Sequence, residues 1–174
     1  MNRRLSTALT LSFIIGLSTP ALSAEICGIE TVQGNGAIMA QTGGYSAKCI
    51  AQGKCSITIS SIDNVGIALE RASVSGPWLA LVTSTFSIDS GAGFDLVFDG
   101  EDETRIAPEF LIAAEDMKSV RVDDEISDIV VSTMLESTTM NATVQLVGGK
   151  RIVHDIALED LSAAIKWVDC AQAR

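Results

Sequence analysis

The stretch that decides the fold is "MNATVQLVGGKRIVHDIALEDLSAAIKWVDC", residues 140–170. Its hydrophobic rhythm changes twice. Residues 140–147 alternate apolar and polar, Gly148-Gly149 interrupts, and residues 150–158 alternate again. That is a hairpin, because a two-residue Gly-Gly loop supplies the positive φ that tight hairpins need. The period then becomes helical. Leu161, Ala164, Ile165 and Val168 lie at i, i+3, i+4 and i+7, so they form one buried stripe. Glu159 and Asp160 fall in the expected first turn, where the helix dipole favours acids. The spacing predicts a helix over about 158–172.

Upstream, Asp123 or Asp124 can cap a second helix, about 124–136, with Ile126, Ile129, Val130, Thr133 and Met134 at helical spacing. "FDLVFDG" alternates Phe94, Leu96 and Phe98. "PWLALVTSTFSI", 77–88, puts Trp78, Ala80, Val82, Phe86 and Ile88 on one alternating face. "EFLIA" and "KSVRV" are short candidate strands. "GIALERASV", 66–74, is read as a strand because its neighbours are strands. "YSAKC" and "CSITIS" flank the short polar loop "IAQGK", so residues 45–60 form a hairpin. Residues 25–44, glycine-rich and poorly periodic, are read as a loosely structured lead-in with one short strand. The expected fold is therefore α+β: mostly antiparallel β, sandwich-like, with one mid-chain and one C-terminal helix.

The N-terminus, "MNRRLSTALTLSFIIGLSTPALSAEIC", has a basic start at Arg3 and Arg4. An apolar run of roughly Ala8 to Leu17 follows, then small residues at Ala21, Ser23 and Ala24. Residues 1–24 are read as a secretory signal, cleaved after Ala24 or Ser23. The apolar run is shorter than the ~20 residues of a membrane-spanning helix, and no later stretch qualifies. Glu25 and Ile26 precede Cys27, which argues against a lipid anchor. Residues 25–174 make one domain. The chain carries 22 acidic and 12 basic residues, a net charge of −10. Loss of Arg3 and Arg4 makes the exported form more negative still. Such a surface repels phosphate backbones and anionic lipid, which excludes nucleic-acid binding. The charge itself serves solubility, or attraction to a basic partner.

Four cysteines, Cys27, Cys49, Cys55 and Cys170, indicate two disulfides in an exported chain, with three connectivities open. The hairpin favours Cys49–Cys55, since paired strands bring such positions into range. That leaves Cys27–Cys170. Cys170 falls about 180° around the helix from Leu161, at roughly 100° per residue, and is expected to face outward. A bond there would pin the N-terminal segment over the helix. The alternatives are a free or intermolecular thiol. A structural zinc site wants C-x-x-C spacing, which is missing.

His154, the one histidine, shares a strand face with Ile152 and Ile156 and reads as a hydrogen-bonded core residue. No G-x-S-x-G elbow offers it a serine. "FSIDSGAGF", 86–94, contains the Asp-Ser-Gly of aspartic peptidases, in which Asp89 would act and a second copy would supply its partner aspartate. Ser87 and Gly93 depart from that pattern, and a turn selects the same residues. The acidic runs Asp99, Glu101, Asp102, Glu103 and Asp123, Asp124, Glu125, Asp128 offer calcium-type oxygens without EF-hand spacing. They read as solvated turn and helix cap. No catalytic, cofactor or metal residue is assigned.

In order, the chain shows a cysteine-bearing hairpin, "LVFDG", a mid-chain helix, a hairpin and "IALEDLSAAIKW". This layout resembles the invasion-associated locus B family of exported bacterial proteins over roughly residues 45–172, most closely over 155–174. The tail "AAIKWVDCAQAR" is also similar to the end of a related secreted family. "GGYSAKC" stands where the family has Gly-Asp-Trp, and its mid-chain cysteine pair is missing. The resemblance implies a periplasmic or secreted, non-catalytic protein linked to the envelope or host contact. The expected function is binding of another protein or an envelope component. Inhibition of a basic secreted enzyme such as lysozyme is the first alternative, and the Asp89 peptidase the second.

Overall fold

The computed structural model describes residues 22–50, 53–101 and 103–174. The strands are β1 (Leu22–Ile26), β2 (Ile29–Gly34), β3 (Ala37–Thr42), β4 (Tyr45–Ile50), β5 (Cys55–Ile62), β6 (Val65–Arg71) and β7 (Leu79–Ser84). They continue as β8 (Phe94–Phe98), β9 (Glu103–Ile106), β10 (Leu111–Ala113), β11 (Ser119–Val122), β12 (Thr139–Gln145) and β13 (Arg151–Ala157). Two helices, α1 (Asp124–Glu136) and α2 (Leu161–Gln172), complete the fold. Among the described residues no helix is long and apolar enough to cross a membrane.

The strands form two antiparallel sheets. The larger runs β1-β2-β3-β4-β5-β6-β7-β11-β10 and the smaller β13-β12-β8-β9. β1 to β7 are a meander in which each strand pairs with the next. The chain crosses to the small sheet for β8 and β9, returns for β10 and β11, and crosses again after α1. Alternation decides which side chains go inside. Ile57 and Ile59 of β5, Val65, Ile67 and Leu69 of β6, and Ala80 and Val82 of β7 are buried. So are Phe94 and Leu96 of β8, Met140, Ala142 and Val144 of β12, and Ile152 and Ile156 of β13. These inner faces make the α+β, sandwich-like fold that the alternation predicts.

Residues 25–44 differ from expectation: they are strands. Two tight turns build them. Cys27 and Gly28 both have positive φ between β1 and β2, and Asn35 and Gly36 do so between β2 and β3. Asn-Gly is a favoured hairpin pair, and "QGNGAIMA" carries that signal. At the next turn Gly43 has φ 55°, and a Cβ there would stand 1.7 Å from Oδ2 of Asp160. Glycine at this turn leaves room for the Asp160 side chain at the start of α2.

α2 begins at Leu161, three residues later than predicted, so Glu159 and Asp160 precede its first turn. Its buried face is rotated from the predicted stripe. Leu161, Ala164, Trp167, Val168 and Ala171 are buried, while Ile165 is only half-buried. The cause is Trp167, whose Nε1 donates to Oγ1 of buried Thr31 on β2 at 3.0 Å. α2 therefore lies across β3, β4 and β5 and covers the part of the large sheet that the small sheet leaves bare. α1 occupies the predicted residues, with Asp123 as N-cap accepting from the Glu125 amide at 3.1 Å. Its buried Ser127 accepts from the amide of Ala80 at 3.2 Å and donates to the carbonyl of Val122 at 3.1 Å. β11 pairs with β7 only over Leu81–Thr83, so Ser127 partners the Ala80 amide that no β11 residue faces.

The predicted face of residues 77–88 holds for Trp78, Ala80, Val82 and Ile88 but fails at Phe86. β7 ends at Ser84, whose Oγ accepts from the Phe86 amide at 3.0 Å. The resulting turn throws the ring outward. In the 140–158 hairpin both glycines have positive φ, but the turn is longer than two residues, with Leu146 donating to the Lys150 carbonyl at 2.8 Å.

Candidate binding surface at one end of the sandwich

Cys27 is bonded to Cys170 and Cys49 to Cys55, with Cα separations of 6.3 Å and 4.1 Å. The second bond joins directly paired positions of β4 and β5. The first ties the β1–β2 turn to the last helix, and Cys170 is half-buried at the edge of that interface rather than outward-facing. Two disulfides suit an oxidising compartment. Around the same helix end, Arg71 is buried at the close of β6, where its parity continues Val65, Ile67 and Leu69. Its Nε donates to Oε1 of Gln172 at 2.9 Å and its guanidinium pairs with Asp169. It also stacks 4.6 Å over the Trp78 ring. Gln172 in turn donates to the Gly53 carbonyl. A cation at a helix C-terminus is favourable in itself.

His154 is fully buried between the sheets. Its Nδ1 lies 2.9 Å from Oγ of Ser60, at the β5 irregularity between Thr58 and Ser60, and its Nε2 is buried without a protein partner. Desolvation pushes its pKa below 6.5. Asp89 starts a single 3-10 turn, Ser90–Ala92. It is held by Gln145, whose carbonyl accepts the Asp89 amide at 2.9 Å and whose Nε2 donates to Oδ2 at 3.2 Å. Asp99 has φ 53° and ties the β8–β9 turn to the start of β12. Its Oδ1 accepts from the Thr138 hydroxyl at 2.8 Å and from the Thr138 and Thr139 amides at 2.9 Å each. These bonds, the Thr138 hydroxyl first, hold its pKa below 3.8. Asp124 pairs with Arg121. Among the described residues no three His, Cys, Asp or Glu side chains converge as metal ligands; Asp102 lies outside them.

The structure gathers one set of residues that periodicity does not single out. Four connections meet at one end of the sandwich: the β5–β6 turn, the segment after β7, the β10–β11 loop and the β12–β13 turn. Backbone bonds knit them together. Thr85 donates to Asn64 at 3.2 Å, Ile88 to Met117 at 2.7 Å, Ser84 to Lys118 at 2.8 Å and Val147 to Ser87 at 2.9 Å. Lys150 pairs with Asp63 across the two sheets at 3.0 Å. Each connection, or the strand end leading into it, exposes one large apolar side chain: Ile62 at the end of β5 at 40%, Phe86 at 54%, Met117 at 44% and Val147 at 58%. Scattered single apolar residues are ordinary on a surface, but four on one rigidly joined end are not. Glu115, Asp116 and Lys118, on the same β10–β11 loop as Met117, are exposed as well, so this end presents both apolar and charged groups, as protein interfaces do.

Compared with protein-family models, with curated proteins and with solved structures, the chain matches none.

Proposed function

We propose that this is an exported, non-enzymatic binding domain that engages another protein, or an envelope component, through the end of the sandwich bearing Ile62, Phe86, Met117 and Val147. The observation that carries this reading is that four exposed apolar side chains sit on connections braced together by backbone bonds at one end. Rigid presentation lowers the ordering cost of association. An aromatic at the centre of such a patch is a usual energetic anchor. The signal-like N-terminus and the two disulfides support action in the periplasm or outside the cell. The resemblance to the invasion-associated locus B family points the same way.

The test compares the wild-type exported protein with a Phe86→Ser, Val147→Ser double variant. Both are immobilised and presented with envelope extract. The wild type is expected to retain one protein in stoichiometric amount, and the variant to lose it while melting normally. Retention of the same partner by the variant, or no stoichiometric partner for the wild type, overturns the proposal.

A further inference from the structure

β1 overlaps the stretch read as a leader, and that overlap has a structural consequence. Leu22, Ser23 and Ala24 stand opposite Gln33, Val32 and Thr31 of β2, antiparallel, at one edge of the large sheet. Cleavage after Ala24 or after Ser23 removes the residues opposite Val32 and Gln33 in either case. The remainder of β1 stays in place. Ile26 is buried, the Glu25 carbonyl accepts from Arg174 at 3.1 Å, and Cys27 is bonded to Cys170. Processing would therefore not strip the edge; it would open a lane of about three residues, roughly 10 Å long, ending at a new α-amino group.

We propose that the mature protein binds in this lane the C-terminal tail of a partner protein, as an added strand antiparallel to β2. The proposal rests on the reading of residues 1–24 as an exported leader. A peptide running in the direction of β1 must stop where Glu25 begins, so its last residue meets the new amino terminus. Its carboxylate then faces that ammonium group, a charge-assisted pair of the kind used to capture chain ends. The register sets the side chains. The last and third-last positions share the inner face with Thr31 and Gln33, and the one between shares the outer face with half-exposed Val32 and its neighbour Met39. Beside Gln33 the inner face continues into a groove lined by Ile38, Cys49, Ala171 and Gln172. Opposite Thr31, which is fully buried under Trp167, stands Ala24, so a small residue is the one seen to fit there. The tail is thus apolar-any-small, with a free carboxylate. A second copy of this chain fits less well. Two rigid domains meeting over three residue pairs bury far less than the roughly 1,000 Å² of a specific interface, and a net charge more negative than the full chain's −10 on each processed copy opposes the approach.

The exported protein is purified from a bacterial periplasm and its N-terminus fixed by intact mass. It is then mixed with a synthetic peptide of residues 20–24, or 20–23 if the mature chain starts at Ala24. Hydrogen exchange at residues 31–34 is expected to slow roughly tenfold or more. Amidating the peptide's C-terminus, or extending it by two residues, should abolish most of that protection. A chain engineered to begin at Pro20, whose own residues fill the lane, should show no response. A mature start upstream of Leu22 would overturn the leader reading. A correct start with no protection, or equal protection by the amidated peptide, would overturn the lane. Dimers of the mature chain that the Pro20 chain does not form would assign the edge to a second copy instead. Leader peptide found bound to the purified protein would make the chain its own occupant and equally overturn a partner tail.

Discussion

Trp167 does at the residue scale what no other side chain of α2 does: it fills the helix–sheet interface and satisfies a buried hydroxyl at once. Trp167→Ala leaves a cavity and removes the bond that the Thr31 hydroxyl accepts, while that hydroxyl still donates to the Ile29 carbonyl at 3.2 Å; it should cost about 3–5 kcal/mol in denaturant unfolding. His154 makes stability depend on pH. It is buried neutral with a folded-state pKa below the unfolded 6.5, so the unfolded chain binds the proton more readily. Stability is then full above about pH 6.5 and falls as the pH drops below it. His154→Gln should flatten that part of the profile, read as melting temperature from pH 7.5 down to about pH 5. Asp99 acts in a lower window. Its stabilising bonds to Thr138 and Thr139 are present above pH 3.8 and are lost as the pH falls through its depressed value. Neither effect is visible in a residue name. His154 reads from its strand parity as a core residue, but its lone Ser60 partner comes from a strand 94 positions away.

At the scale of elements, α2 is fastened at its C-terminal end three ways: by Cys27–Cys170, by Arg71 and by Gln172 on the Gly53 carbonyl. The two disulfides should contribute unequally. Cys27–Cys170 spans 143 positions and Cys49–Cys55 only 6. Loop-closure entropy then assigns about 5 kcal/mol to the first and about 2 kcal/mol to the second. Paired Cys→Ser variants compared in chemical denaturation should show that order, and a larger loss for the 49–55 pair would contradict it. The bounds of α1 are legible, because a capping aspartate and helical spacing are local, but its face is not: Ile129 of the expected spacing is exposed while Ser127 and Val131 are buried. The rotated face of α2 is not legible either. Ile165 and Trp167 both suit a helix surface, and only the position of Thr31 on β2 selects the tryptophan.

For the whole molecule, the proposed function would separate stability from recognition. The core is closed by strand alternation and two helices, while the four connections at one end carry exposed apolar groups that the core does not need. Phe86→Ser and Val147→Ser should each shift unfolding by no more than about 0.5 kcal/mol, as surface changes do, yet remove partner binding together. A large loss of stability in either would show that the side chain serves packing. Alternation places Phe86 on the inner face, and no local pattern singles out Ile62, Met117 or Val147. Their proximity depends on how four connections, from residue 62 to residue 150, are brought to one end by the pairing of two sheets.

The sequence by itself determined the things that depend on neighbours in the chain. These are the period-two strands, a mid-chain helix capped by an aspartate, the 140–158 hairpin and the Cys49–Cys55 hairpin geometry. It also carried the Asn35-Gly36 turn, a local signal masked by the weak alternation around it. Tertiary structure alone decided what depends on distant partners: Trp167 on Thr31, Ser127 on the Ala80 amide, Arg71 on the end of α2, and the convergence of the four exposed tips. The physical reason is range. Backbone propensity and side-chain parity act over a few residues. Satisfaction of a buried polar group is settled only when strands and helices far apart in sequence come within about 3 Å of each other.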